Sequence, residues 1–298
     1  MAYYSGYIFI FIAALCWGFL GIFGRIAMDA GLAPLDVAFW RALLGGLFLF
    51  FHALSIKKAR VYSLKDFSSF CLFGIFSIAT FFVAYQYAVK EGGAALASVL
   101  LYTAPAWVAI FSRIFFKLPL TKITCLAIGI ALLGGIFISI SPSEVHLDVN
   151  SEHSLPFLGI FFGLLSGFLY ATHYVVTKKL LITYTSFTIY SYSSLVAALC
   201  LFPFTNIRFD IGLSAWLALI SLGFICTYVA YWAYSESIKR LHPTKVAVLA
   251  TLEPVTATLA AWIIWNESFS ALGWLGALLI LSTVIIFLID DKKRSHIQ

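Results

Sequence analysis

Ten apolar runs divide this 298-residue chain. They lie at about 7–28, 35–55, 67–89, 93–116, 121–140, 157–178, 186–204, 213–237, 244–265 and 271–289. Each approaches or exceeds the ~20 residues that an α-helix needs to cross ~30 Å of hydrocarbon. Without water, every backbone N–H and C=O must be satisfied inside the protein, and a helix does this within its own segment. The expected fold is therefore an all-α membrane protein with ten transmembrane helices. Composition agrees: 62% of residues are hydrophobic, 11% are charged and mean hydropathy is +0.99. A soluble chain of this length could not hide so much apolar surface. The first run lacks a basic leader and continues too far for a cleavable signal, so it reads as a retained span.

Charge sets the expected orientation. With the N-terminus in the cytoplasm, every Lys and Arg except Arg25, Arg41, Lys90 and Arg208 falls on the cytoplasmic side. That is a positive-inside pattern, and an even number of spans returns the C-terminus to the same side. The expected location is the cell inner (plasma) membrane, multi-pass, with both termini cytoplasmic and the lipid bilayer as the chain's first partner. The pI of 9.0 does not point to nucleic acid, because the basic residues sit in short loops and form no stripe with interleaved aromatics.

The chain also repeats itself. Residues 74–105 align without gaps on 223–254 at an offset of 149, pairing Gly74, Ala84, Tyr85, Lys90, Leu100 and Pro105 with Gly223, Ala233, Tyr234, Lys239, Leu249 and Pro254. A second alignment, at an offset of 153, sets Trp17 on Tyr170 and Arg25 on Lys178. Each half holds five spans, and an odd number makes the second half enter the membrane from the opposite side. The expectation is two inverted five-helix repeats, 1–140 and 156–298, joined by a polar connector at 141–155 that carries Glu144, Asp148 and Glu152. Inverted repeats of this kind characterise many secondary transporters, with substrate held near the midplane.

Helices meet in lipid through small residues, since the hydrophobic effect cannot draw them together there. Gly159, Gly163 and Gly167 form one small stripe, and Gly18, Gly21 and Gly24 form another. Packing within one chain and a homodimer seam both fit these stripes. Cys16, Cys71, Cys125, Cys200 and Cys226 lie inside apolar runs with no CxxC spacing, which supports neither a disulfide framework nor a metal site. No cofactor motif is present.

The segments AALCWGFLGIFGRIAM (13–28), VAFWRALLGGLFLF (37–50), AYQYAVKEGGAALASVLLYTAPAWVAIFSRIFF (84–116), GLLSGFLYATHYVVTKK (163–179) and ATLEPVTATLAAWIIWNE (250–267) follow in an order that resembles the EamA-type branch of the drug/metabolite transporter superfamily. The resemblance covers nearly the whole chain. It implies ten helices in two inverted repeats around a central cavity for a small metabolite, with an amino acid or derivative as first substrate and export as the usual direction. One feature departs from the pattern. A Gly-Glu pair often opens the last helix of each half; Glu267 fits it, but Leu120 occupies the matching place in the first half.

Several residues could carry transport. Pro105 and Pro254 are repeat-related, about a dozen residues into their spans. A proline there removes a backbone donor and clashes with the carbonyl four residues earlier, near 101 and 250, so each reads as a kink, a hinge on the path, or both. Glu253 lies roughly 12 Å into its span. An intramembrane carboxylate is costly and has to face a cavity or a partner; hydrogen bonding within the family motif, contact with a substrate amine, and proton coupling all fit it. Its counterpart in the first half is Ala104. Arg41 reads either as snorkelling or pairing with Asp36 or Asp29, or as holding a substrate carboxylate. Glu236 is expected to pair with Lys239 or Arg240 at helical spacing. Trp17, Tyr85, Tyr102, Tyr170, Tyr228 and Trp232 offer aromatic wall for a small amphipathic ligand or a cation, and His173, three residues after Tyr170, is either a helix contact or a proton relay.

These features favour a secondary transporter of a small metabolite, exporting an amino acid or derivative by rocking its halves about Pro105 and Pro254. Uptake or exchange of a nucleoside-like or S-adenosyl metabolite is the alternative. The chain has no Walker A loop, HExxH or GxSxG, which argues against an ATPase or a membrane enzyme. A non-transporting scaffold would gain nothing from an intramembrane Glu253.

Overall fold

The computed structural model describes residues 4–140, 156–265 and 270–295. The connector 141–155 and Glu267 lie outside them. Among the described residues ten helices are long and apolar enough to cross a membrane: α1 (Ser5–Asp29), α2 (Pro34–Ser55), α3 (Leu64–Glu91), α4 (Leu96–Phe116), α5 (Lys122–Ser139), α6 (Phe157–Leu180), α7 (Ser186–Phe204), α8 (Gly212–Arg240), α9 (Pro243–Ile264) and α10 (Ala271–Lys293). Helical backbone continues from Thr80 to Leu101, through the short connection between the third and fourth spans. The Tyr85 and Ser98 hydroxyls are nevertheless 3.4 Å apart. Thirteen positions of straight helix would separate them by ~20 Å, so the backbone doubles back between them.

Polar side chains start the helices. Asp36 accepts from the backbone of Ala33 at 2.9 Å and Asn206 at 2.8 Å, capping α2 and holding the α7–α8 loop against it. Thr121 and Thr185 cap α5 and α7, and His242 Nδ1 accepts from Thr244 N at 3.3 Å to open α9. Glu236 pairs with Lys239 at 2.6 Å and Arg240 at 2.5 Å, as helical spacing predicts.

The packing exchanges when the halves are exchanged. α1 lies against α8 and α9, and α6 against α3 and α4, while α2 pairs with α7 and α5 with α10. Close approaches exchange too. A Cβ on Gly74 would sit 2.4 Å from the Ser193 carbonyl oxygen, and one on Gly223 would sit 2.7 Å from Leu44 Cβ. Adding 149 to Gly74 and subtracting it from Ser193 turns the first contact into the second. This fits the expected pair of five-helix repeats. Gly163 and Gly167 face Leu100 and Thr103 of the same chain. Tyr7, near the N-terminus, donates a short hydrogen bond to Asp291 near the C-terminus, so both ends of the described chain meet at one end of the bundle.

Backbone irregularities cluster inside the bundle. α3 widens into π-helical turns at Phe73–Ala79, and α8 does so at Phe224–Val229. In each, a threonine hydroxyl caps the carbonyl five residues back: Thr80 on Ile75 at 2.8 Å, Thr227 on Leu222 at 3.0 Å. α1 breaks at Phe19. The prolines do not kink continuous helices as expected. α4 breaks before Ala104 and α9 at Thr251, and Pro105 and Pro254 fall in the first turns of the segments that follow, where a missing donor does no harm. The carbonyls capped at these breaks are Leu100, by Thr103, and Val248, by Thr251, both at 2.6 Å.

Two expectations follow. A Cβ on Gly18 would meet Thr256 Oγ1 at 2.1 Å and Ala257 N at 2.9 Å, whereas Gly21 and Gly24 have nothing within 4 Å. Gly18→Ala should therefore cost about 2 kcal/mol and Gly21→Ala nothing, compared by thermal unfolding in detergent. His242 is held neutral: burial, then Lys245 and Lys178 beside it, press its pKa down to about 4. Between about 6.5 and about 4 the unfolded chain takes up a proton that the folded chain refuses. Stability should fall as pH drops through that window, and His242→Gln should flatten the slope; an unchanged slope assigns it to another group.

Candidate functional site

A cavity of about 360 Å³ lies among α1, α2, α3, α4, α6, α8 and α9. Its wall runs from Trp17, Tyr170 and Glu253 at the depth of the helix breaks to Met28, Pro34 and Gln86 at the end where α1 turns into α2. Room comes partly from α1, where Gly21 and Gly24 present backbone instead of side chain. This volume suits a small metabolite.

Seven of the nine expected binding residues meet on this wall: Trp17, Arg41, Tyr85, Tyr102, Tyr170, His173 and Glu253. Tyr228 and Trp232 are not among them. Tyr228 hydrogen-bonds His52 Nδ1 at 2.7 Å and stacks on Phe187 and Phe224, while Trp232 meets Phe9 of α1 edge-on. The π-helical turns of α8 explain the difference. They shift the helical phase at Tyr228, and the residue presented to the cavity is Tyr231. Tyr231 is the repeat-mate of Phe82, itself on the wall, and neither was expected there. Phe81 and Gln86 also line the cavity and were not anticipated; Phe81 stacks on Tyr170 at 5.4 Å. Pro105 and Pro254 lie behind the wall.

Arg41 does not pair with Asp36, whose oxygens are occupied by the caps already described. It reaches instead across to α8, donating from Nε to Thr227 Oγ1 at 3.2 Å and from Nη2 to the Cys226 carbonyl at 3.4 Å, with its guanidinium 5.3 Å from the Phe82 ring centre. His173 Nε2 makes a short hydrogen bond to the Ser77 carbonyl. A carbonyl only accepts, so the proton is on Nε2. Ser77 and Cys226 are repeat-mates at an offset of 149, so equivalent carbonyls in the two π-helical segments are each held by a basic side chain of the wall.

Glu253 is the second residue of the helix that resumes after the Thr251 break, where the N-terminal end of the dipole favours a carboxylate. Among the described residues its carboxylate makes no hydrogen bond or ion pair; Arg41 acts on it only through the field. The cavity thus presents one acid and one base that do not neutralise each other, between aromatic walls.

The chain matches the sequence profile of the EamA-like transporter family over residues 4–140 and 157–289. It belongs to that family. It is similar to the uncharacterized inner membrane transporter YicL of Salmonella typhimurium, at 25% identity over 98% of both chains. It is also similar to uncharacterized transporters of Clostridium kluyveri, at 26% identity over 99% of this chain and 96% of that one, and of Archaeoglobus fulgidus, at 26% over 93% and 94%. A protein of known crystal structure superposes with a TM-score of 0.80 over 97% of this chain and 98% of its own; at 17% identity this shows the fold alone. The EamA-like chain is a multi-pass membrane transporter.

Arg41 and Glu253 should differ in what they do for the fold. Arg41→Ala removes two hydrogen bonds that tie α2 to α8 and should lower stability by about 1–2 kcal/mol. Glu253→Gln replaces an unbonded intramembrane carboxyl group with an amide of the same shape and should leave the melting temperature unchanged or raise it. Thermal unfolding of both variants in one detergent checks the order.

Proposed function

We propose that this EamA-like protein is a secondary carrier that exports a small zwitterionic metabolite, an amino acid or a derivative of one, across the inner (plasma) membrane by alternating access. The observation that carries this reading is the presence of an unbonded Glu253 carboxyl and the Arg41 guanidinium on the wall of one aromatic-lined cavity. An unpaired carboxylate within a membrane is costly and calls for a functional partner. A substrate amine supplies one at Glu253, and a substrate carboxylate meets Arg41, whose planar fork suits it. Trp17, Tyr102, Tyr170 and Phe81 then take the apolar part of the ligand.

Export is the direction the family resemblance implies, and sidedness is read from charge. With basic loops cytoplasmic, the end of the cavity marked by Met28, Pro34 and Gln86 is extracytoplasmic. The conformation is then the outward-facing one, and the breaks at Thr103 and Thr251, beside Pro105 and Pro254, are where the halves hinge.

The test is counterflow in proteoliposomes with pooled amino acids, nucleosides and S-adenosyl compounds, with and without a pH gradient. Saturable flux of an amino acid or derivative is expected. Glu253→Gln should reduce it at least tenfold, about 1.4 kcal/mol, while the protein remains folded. Flux confined to nucleosides or S-adenosyl compounds would replace the substrate class. Folded protein without saturable flux in any pool would favour a scaffold.

A further inference from the structure

The repeat relates an open half of the molecule to a closed one. Six residues of the cavity wall have repeat-mates on the far side of its floor. Gly21 and Gly24 map, at an offset of 153, onto Tyr174 and Thr177. Arg41, Tyr85, Gln86 and Tyr102 map, at an offset of 149, onto Tyr190, Tyr234, Ser235 and Thr251. None of these six mates is more than 4% exposed. They pack on one another: Thr177 and Tyr190 share a 2.6 Å hydrogen bond, and the Tyr174 and Tyr234 rings meet edge-on at 5.2 Å. They also abut the cavity floor, with Trp17 5.7 Å from Tyr234 and Tyr231 stacked on Tyr190 at 4.1 Å. Where the first half has glycine and space, the second has tyrosine and contact.

This closed region holds polar groups that a permanently dry interior would not favour. The hydroxyls of Ser235, Ser237 and Thr244 are buried without a hydrogen-bond partner among the described residues. Orphans of this kind are costly in a fixed core and unremarkable on a wall that is wet for part of a cycle.

Side chains at the cytoplasmic end tie the region shut. Lys245 of α9 and Asp291 of α10, both almost fully buried, form an ion pair of 2.5 Å, and Tyr7 of α1 donates to the same carboxylate. Lys178 at the end of α6 donates to the carbonyls of Ile238, Lys239 and Leu241 at the end of α8. The repeat-mate of Lys245 is Leu96, which offers no such bond at the open end.

We infer that these six mates line a second, cytoplasmic vestibule, collapsed in this conformation, and that Tyr7–Asp291–Lys245 together with Lys178 is the latch that keeps it closed. The inference rests on the alternating-access reading. Opening requires α1 and α6 to part from the α8–α9 corner, and each latch bond crosses that seam or anchors one side of it. The open vestibule exchanges the glycine-lined wall for one of tyrosine and hydroxyl groups, while Glu253, the acidic contact, stays at the floor common to both sides.

The experiment reads reciprocal accessibility. The five native cysteines are replaced by alanine, and single cysteines are placed by G21C in the outer cavity and S235C in the vestibule. The protein is reconstituted and labelled from each side with a membrane-impermeant methanethiosulfonate. With the latch intact, G21C should react and S235C should not. Adding Asp291→Asn should speed S235C labelling from the cytoplasmic side at least tenfold and slow G21C labelling. Should Asp291→Asn fail to fold, Tyr7→Phe removes one latch bond while keeping the ring and the ion pair, and the same reciprocal change is expected with smaller size. An unchanged S235C rate in folded protein overturns the inference, as does a rise at both positions, which would mark general loosening. Intact counterflow without reciprocal labelling would reject the latch and leave the transport reading standing. Reciprocal labelling without flux of any compound would support the vestibule and reject the substrate reading.

Discussion

A carbonyl that leaves the helical ladder within a membrane has to find another donor in the protein, and the centre of this molecule is built around that requirement. Two helices widen into π-helical turns and three more break. At nearly every such place a side chain supplies the missing bond. Thr80, Thr103, Thr227 and Thr251 cap their own helices, while His173 and Arg41 reach across from other spans to Ser77 and Cys226. Irregular backbone is tolerated in lipid where it is covered by protein or faces a cavity, and here the cavity wall passes through the irregular zone. The same departures that make room for a ligand place polar groups around it.

Packing between helices obeys a second rule of the medium. With lipid tails as apolar as leucine, contact comes from backbones that approach closely. The Gly74–Ser193 and Gly223–Leu44 contacts do this at equivalent points of the two halves, each at the start of a π-helical segment. A glycine there brings α3 onto α7, and α8 onto α2, so that Arg41 can span the gap to Thr227. In the proposed cycle these contacts stay closed while the halves hinge at the Thr103 and Thr251 breaks.

Most of the architecture was legible because hydrophobic length is a one-dimensional signal: ten runs predicted ten spans within a few residues. Glu253, Trp17 and Tyr170 were legible because a carboxylate at that depth, or an aromatic pair related by the repeat, is unusual in itself. What escaped is what depends on helical phase. Nothing in the composition of Phe224–Val229 announces a wider turn, so Tyr228 and Trp232 were expected on the wall and Tyr231 was not. The prolines misled for a related reason. Pro105 and Pro254 predict a disturbance, but whether it is a kink or a fresh helix start depends on Thr103 and Thr251 upstream, whose hydroxyls stabilise the break. Arg41 was ambiguous until Asp36 was seen to be engaged by two backbone donors, leaving Arg41 to turn inward.

The two halves share backbone contacts and differ in side chains, and in the proposed cycle that difference sets which conformation is at rest. A perfectly symmetric pair of repeats would have inward and outward states of equal energy. Here Gly21 and Gly24 face Tyr174 and Thr177 across the pseudo-symmetry, Arg41 faces Tyr190, and Glu253 faces Ala104. Aromatic side chains fill the side that the proposal makes cytoplasmic with contacts that the glycine-lined side cannot match, and a buried ion pair is added at the same end. A buried pair contributes little net stability compared with an apolar substitute, but it is strongly destabilising to separate. That asymmetry suits a gate: the bonds discriminate between two packings of one chain without requiring the closed one to be exceptionally stable. In the proposed cycle Glu253 lies at the floor common to the two sides, so opening either vestibule leaves that contact in place and changes only which solvent reaches it.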